Sequence, residues 1–151
     1  MMALTTFGAI MGFAAEIVGQ TEDTYKALVR KATDSALKEA LQILLGEEKK
    51  NRTLMEKTRR ENVTEMILEP ITGLRQEDYE LSLTVQDRIG DADLMKAALV
   101  LEEREKKFFM DASSKVSLPE VARIFRKIVQ KKENNIAKLQ SLGMNQILRN
   151  S

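Results

Sequence analysis

The chain has 151 residues, with 24 Lys and Arg against 23 Asp and Glu, 43% hydrophobic residues, and no His, Cys or Trp. That length suits one domain with a single buried core, and a 31% charged fraction with only two Pro describes a helix-rich globular protein rather than a disordered or fibrous one. Without His or Cys there is no Ser-His or Cys-His nucleophile pair, imidazole base, thiolate, zinc ribbon, iron–sulfur cluster or disulfide. A net charge of +1 supplies no bulk attraction for nucleic acid or an anionic membrane.

No apolar run approaches the roughly 18 to 20 residues of a membrane span. Positions 1–15 carry no side-chain charge, but a secretory signal needs Lys or Arg ahead of its apolar stretch, and Glu16 interrupts the run. A buried first helix and a cytoplasmic location are expected. Phe7, Met11, Ala14, Val18, Thr21, Tyr25 and Leu28 alternate at spacings of four and three, the seam of a helix over about 5–32. After Thr33-Asp34-Ser35, a cluster suited to capping, the rhythm restarts with Leu37, Leu41, Leu44, Glu48, Asn51 and Met55, a second helix over about 34–60. The turn between them is short, so the two are antiparallel. Residues 61–90, with Pro70, Gly73 and Gly90, read as a long crossover, in which Leu81 to Val85 is compatible with strand or helix.

The third helix, about 91–115, opens on Asp91 and Asp93, acids that suit a helix N-terminus, and has the seam Met95, Ala98, Glu102, Glu105, Phe109 and Ala112. Ser117-Leu118-Pro119-Glu120 reads as a capping box that starts the fourth helix, about 118–140, with the seam Val121, Phe125, Ile128, Lys132, Asn135 and Leu139. Gly143 is its expected end, and Ile147 and Leu148 belong to a frayed tail or a short packed turn. Shifted by 84 positions, the first pair's seam becomes the second's: Met11 falls on Met95, Tyr25 on Phe109, Leu41 on Phe125, Glu48 on Lys132 and Asn51 on Asn135, without a gap. The expected fold is therefore all-α, a single domain spanning 1–151, with two duplicated helical hairpins packed as an antiparallel four-helix bundle.

Glu48, Asn51, Glu102, Glu105, Lys132 and Asn135 interrupt this otherwise apolar seam near mid-helix. Buried without partners they would each destabilise the fold by several kcal/mol, so they must pair with one another, with water or with a metal. With the long second-to-third connection, these positions resemble the ferritin-like superfamily, and within it the rubrerythrin-like di-iron carboxylate bundles. The stretch Leu101-Glu102-Glu103 followed by Phe108-Phe109 is similar to the family's third-helix pattern, in which a ligand Glu precedes an aromatic by seven residues. The resemblance implies iron or manganese ligands at Glu48, Glu102 and Glu105. It places Asn51 and Asn135 where the family has His, Lys132 where the fourth helix has Glu, and Val18 at the first-helix Glu unless Glu16 turns inward. Lys132 supplies a positive charge of its own, so a salt-bridged core with no cofactor is expected.

Outside the seam, the Lys and Arg of helices two and four lack interleaved aromatics and read as a solvated face rather than a nucleic-acid surface. Gly8, Gly12, Ala15 and Gly19 form a small-residue stripe on helix one, which implies close approach of another backbone, inside the bundle or in a homodimer. The expected function is non-catalytic, structural or interactive. The alternatives are a metal-dependent oxidoreductase or iron-handling protein with an altered site, and a carrier holding an apolar ligand among Phe7, Met11, Tyr25 and Phe109.

Overall fold

A computed structural model describes residues 3–62, 71–81 and 90–150, with side chains as far as position 143. Four helices follow one another: α1 (Phe7–Lys31), α2 (Ser35–Glu61), α3 (Asp91–Ser113) and α4 (Pro119–Asn150). Local chemistry sets the starts. Thr6 Oγ1 accepts from Ala9 N at 3.0 Å and Asp34 Oδ2 from Leu37 N at 2.9 Å, so each caps a helix whose first amide groups have no partner inside it. At α4 the capping residue is Leu118 rather than Ser117: the Leu118 carbonyl accepts from Ala122 N at 3.0 Å, and Pro119 takes the first helical position, where its missing N–H is of no consequence.

α1 packs along α2 and α3 along α4 as two hairpins, and the hairpins join through α1 against α3 and α2 against α4. Every seam residue predicted from periodicity is buried except Asn51, which is half-buried. The core divides into two apolar clusters. One holds Phe7, Met11, Phe108, Phe109 and Phe125; the other holds Tyr25, Leu28, Leu41, Leu44, Leu101 and Leu139. Between them lies a polar layer of Thr21, Glu48, Glu102, Glu105, Lys132 and Asn135, each at most 4% exposed.

The crossover is tied down where it is described. Leu4 N donates to the Leu74 carbonyl and Ile71 N to the Thr5 carbonyl, at 2.8 and 2.7 Å, beside an isolated antiparallel bridge between Ala3 and Arg75. Gly73 turns this segment with φ near +90°, a conformation open to glycine at no steric penalty. A 3-10 turn, Gln76–Tyr79, then lays the Tyr79 ring edge-on against Phe108, and its hydroxyl donates to Asp111 Oδ2 at 2.6 Å. At the far end, the Asp91 carboxylate accepts from Thr33 N, Thr33 Oγ1 and Asp34 N, fastening the first hairpin's turn to the start of α3. Burial works against the charge on Asp91, but these bonds outweigh it and lower its pKa.

Two expectations are changed. α4 does not stop near 140 at Gly143 but continues as helix to Asn150. A Cβ at Gly143 would lie 2.7 Å from Met95 Sδ, so this glycine serves the packing of α4 on α3 instead of ending the helix. Of the two origins expected for the small-residue stripe, close approach inside the bundle is not found at Gly12 or Gly19, where a Cβ would meet nothing within 4 Å among the described residues. Leu81 is described, whereas the rest of the stretch to Val85 lies outside the described residues.

Candidate functional site

Helical spacing carries the polar layer to one level of the bundle. Glu48 on α2 and Lys132 on α4 are equivalent positions in the 84-residue register of the sequence, and they meet in an ion pair. Glu102 and Glu105 lie three residues apart on α3, nearly one turn, and face the same point. The Lys132 ammonium reaches Glu102 Oε2 at 2.8 Å and Glu105 Oε2 at 2.7 Å as well, so one cation stands among three carboxylates. The approach to Glu105 is an ion pair whose angle falls short of a hydrogen bond.

Other groups complete the layer. Asn135 Nδ2 donates to Glu102 Oε1 at 2.8 Å and to Glu47 Oε2 at 2.7 Å, and the Tyr25 hydroxyl donates to Glu102 Oε2 at 2.9 Å. Asn51 Nδ2 gives a long bond of 3.4 Å to Glu48 Oε1. On the α1/α3 side, Arg104 donates to Thr21 Oγ1 at 3.0 Å. Glu48 Oε2 and Glu105 Oε1 are buried without a hydrogen-bond donor.

Electrostatics follow from this geometry. Burial opposes the charge on Lys132, but Glu105, Glu48 and Glu102 together overcome it and hold its pKa well above the ordinary lysine value. Burial, then the charge of Glu105, drives the Glu48 pKa well above the usual carboxylate range despite Lys132. Glu102 is raised more moderately: burial again leads, and Lys132 opposes it. Burial also raises the Tyr25 phenol and lowers Arg104. Three carboxylates face one ammonium, and the like charges of Glu105 and Glu102 add to burial in raising Glu48.

Of the expected site residues, Glu48, Glu102 and Glu105 each offer one carboxylate oxygen, and these lie within 4.8 Å of one another. Lys132 and Asn135 join them, with Asn51 at the margin. Val18 is fully buried and apolar, and Glu16 is exposed, so α1 adds no carboxylate to the layer. Periodicity did not reveal Glu47, one position off the seam, or Arg104, between two seam acids. Tyr25 was legible as core, and its phenol, buried beside a polar layer, signals a need for an acceptor. With the Lys132 ammonium standing where the three carboxylates converge, the residues as placed do not suit a divalent metal, whose charge would face a cation at contact. The four residues proposed to line a carrier cavity are packed in two clusters on opposite sides of the polar layer, Phe7, Met11 and Phe109 in one and Tyr25 in the other.

The α2/α4 side is also cleft. A cleft of about 340 Å³ runs among Leu54, Ile124, Ile128, Lys127, Lys131 and Lys132. A smaller one of about 90 Å³ lies among Ala40, Ile43, Leu44, Lys138, Leu139 and Asn135. Glu47, bonded to Asn135 and 3.6 Å from Lys131 Nζ, bridges the two helices between them.

No family model and no curated protein matches this chain. Among solved structures it is similar to a hypothetical protein from Pyrococcus furiosus, at 22% identity over 90% of this chain and 89% of that one, with a TM-score of 0.66. That likeness is one of fold. No helix among the described residues is long and apolar enough to cross a membrane.

Proposed function

We propose that this protein is a non-catalytic, ferritin-like bundle with a structural or interaction role, its di-iron-type centre replaced by an internal salt-bridge cluster. The observation that carries this reading is the Lys132 ammonium in simultaneous contact with Glu48, Glu102 and Glu105. The resemblance of the seam to rubrerythrin-like bundles supports the scaffold, and Asn51 and Asn135 in place of His weigh against metal chemistry. A cytoplasmic setting and a homodimer belong to the same reading; open space outside Gly12 and Gly19 leaves the α1 stripe available to a second copy.

Elemental analysis of untagged protein, before and after anaerobic incubation with Fe²⁺, Mn²⁺ or Zn²⁺, tests the proposal. No stoichiometric uptake is expected. The competing reading, a metal-dependent oxidoreductase, draws on the three converging carboxylates. Near-stoichiometric metal that is lost on Glu102→Ala would establish it and end the non-catalytic one.

A further inference from the structure

The two clefts on the α2/α4 side are images of one another under the internal repeat. Ile43 on the wall of the smaller corresponds to Lys127 on the wall of the larger, and Leu54 of the larger corresponds to Lys138 of the smaller. Each cleft therefore has an apolar floor, one aliphatic wall and one lysine wall. Lys127 and Lys138 are exposed, and Ile43 is 58% exposed, an unusual position for an isoleucine in this chain. Glu47, on the lining of the larger cleft, is engaged by Asn135 and Lys131, so the acid in the groove is spoken for while the flanking Lys127 and Lys138 are exposed.

These features define a partner. Lys127 and Lys138 are eleven residues apart on α4, a separation of about 16 Å along the axis. Eleven residues are also close to three helical turns, so the groove matches a helix with apolar side chains at i and i+11 on one face. Acids flanking that face would meet the lysines, the arrangement of an amphipathic helix laid in a groove. We propose that the α2/α4 groove is a docking surface for an acidic amphipathic helix of another protein. A second copy of this chain fits poorly through α3: its exposed apolar residues, Val100 and Met110, are interspersed with exposed Lys96 and Lys107 against one exposed acid between them, Glu103, so that face carries the same net sign as the groove.

The inference rests on the reading of the bundle as an interaction protein, and its test is separate from metal analysis. Two fluorescein-labelled helical peptides of about 18 residues, long enough to hold helical structure, serve as probes. Both carry a Leu stripe with anchors at i and i+11; the remaining positions are mainly Glu in one and mainly Lys in the other. Titrated with the full chain at near-physiological salt, the Leu/Glu peptide is expected to bind at least about tenfold more tightly than the Leu/Lys peptide, as charge complementarity requires. Lys127→Glu with Lys138→Glu should remove that advantage. Arg123→Glu with Arg126→Glu, an equal change of charge at exposed α4 positions outside the clefts, should keep it. Circular dichroism of each variant verifies the fold. Failure of the Leu/Glu peptide to bind, equal binding of both peptides, or equal loss in both variants would overturn the docking surface. Metal uptake would overturn the non-catalytic reading and leave the peptide result standing.

Discussion

Glu48 is the residue on which the polar layer depends most, because one of its oxygens meets a cation and the other is buried beside an acid. Its Oε1 takes the Lys132 ammonium, while Oε2 is buried beside Glu105 with no donor. A proton on Glu48 would supply that donor, and a glutamine would carry the same pattern permanently, accepting from Lys132 and donating toward Glu105. Glu48→Gln is therefore expected to change stability at neutral pH by no more than about 1 kcal/mol. Glu48→Ala, which strands Lys132 from one partner and opens space, should destabilise by about 3 kcal/mol. The pH dependence separates the two roles. A carboxyl whose folded pKa is raised contributes stability that is fully present below its unfolded value, near 4.5, and is lost as pH rises through the folded pKa. Acidification from neutral toward pH 5 should thus stabilise the wild type more than Glu48→Gln; in the variant, Glu102 retains a smaller trend of the same sign. Urea denaturation at both pH values measures this. Parallel curves would show that Glu48 keeps its charge in the fold.

At the scale of the helix, apolar rhythm made the architecture legible, because a seam residue at alternating three and four positions has to face a neighbour whatever its identity. The polar members obeyed the same rule: Glu102, Glu105 and Lys132 are as buried as the leucines around them. Glycine was read less well, since it marks a helix end by conformation and a tight contact by size, and sequence does not separate the two. Gly143 is a contact, set by Met95 of α3. Gly12 and Gly19 answer to no close contact among the described residues. If α1 faces solvent there, Gly12→Ala and Gly19→Ala should each raise stability by up to about 1 kcal/mol, the helix-propensity difference. Where a second copy lies against the stripe, the added methyl groups would instead split the dimer. Thermal melts read together with sedimentation mass distinguish these outcomes: a stabilised chain of unchanged monomer mass would end the homodimer proposal.

For the whole molecule, the duplication explains how one cation comes to serve three acids. Two pairs of positions equivalent in the 84-residue register, 48 with 132 and 47 with 131, meet between α2 and α4, so identical repeats would set like charges together there. Here the first repeat has Glu47 and Glu48 and the second has Lys131 and Lys132, and each glutamate meets its own counterpart, Glu47 at 3.6 Å from Lys131. The sequence alone offered Glu48, Glu102 and Glu105 as partners of Lys132 without choosing among them. That Lys132 reaches all three depends on how closely α2, α3 and α4 approach. The pairing makes a cycle possible. Lys132→Glu alone gathers four carboxylates and Glu48→Lys alone gathers two ammonium groups, so each should destabilise by about 3 to 5 kcal/mol in metal-free buffer. Combined, they restore the original inventory, one lysine among three glutamates, with the cation reaching in from α2 instead of α4. The double variant should then recover at least about 2 kcal/mol relative to the sum of the single changes. Additive losses would mean that the position of the ammonium relative to Glu102 and Glu105 matters more than the balance of charge between α2 and α4. Fe²⁺ or Mn²⁺ supplies a second reading of the same cycle: with four carboxylates and no central lysine, Lys132→Glu is the member expected to regain stability on adding metal, and the double variant is not.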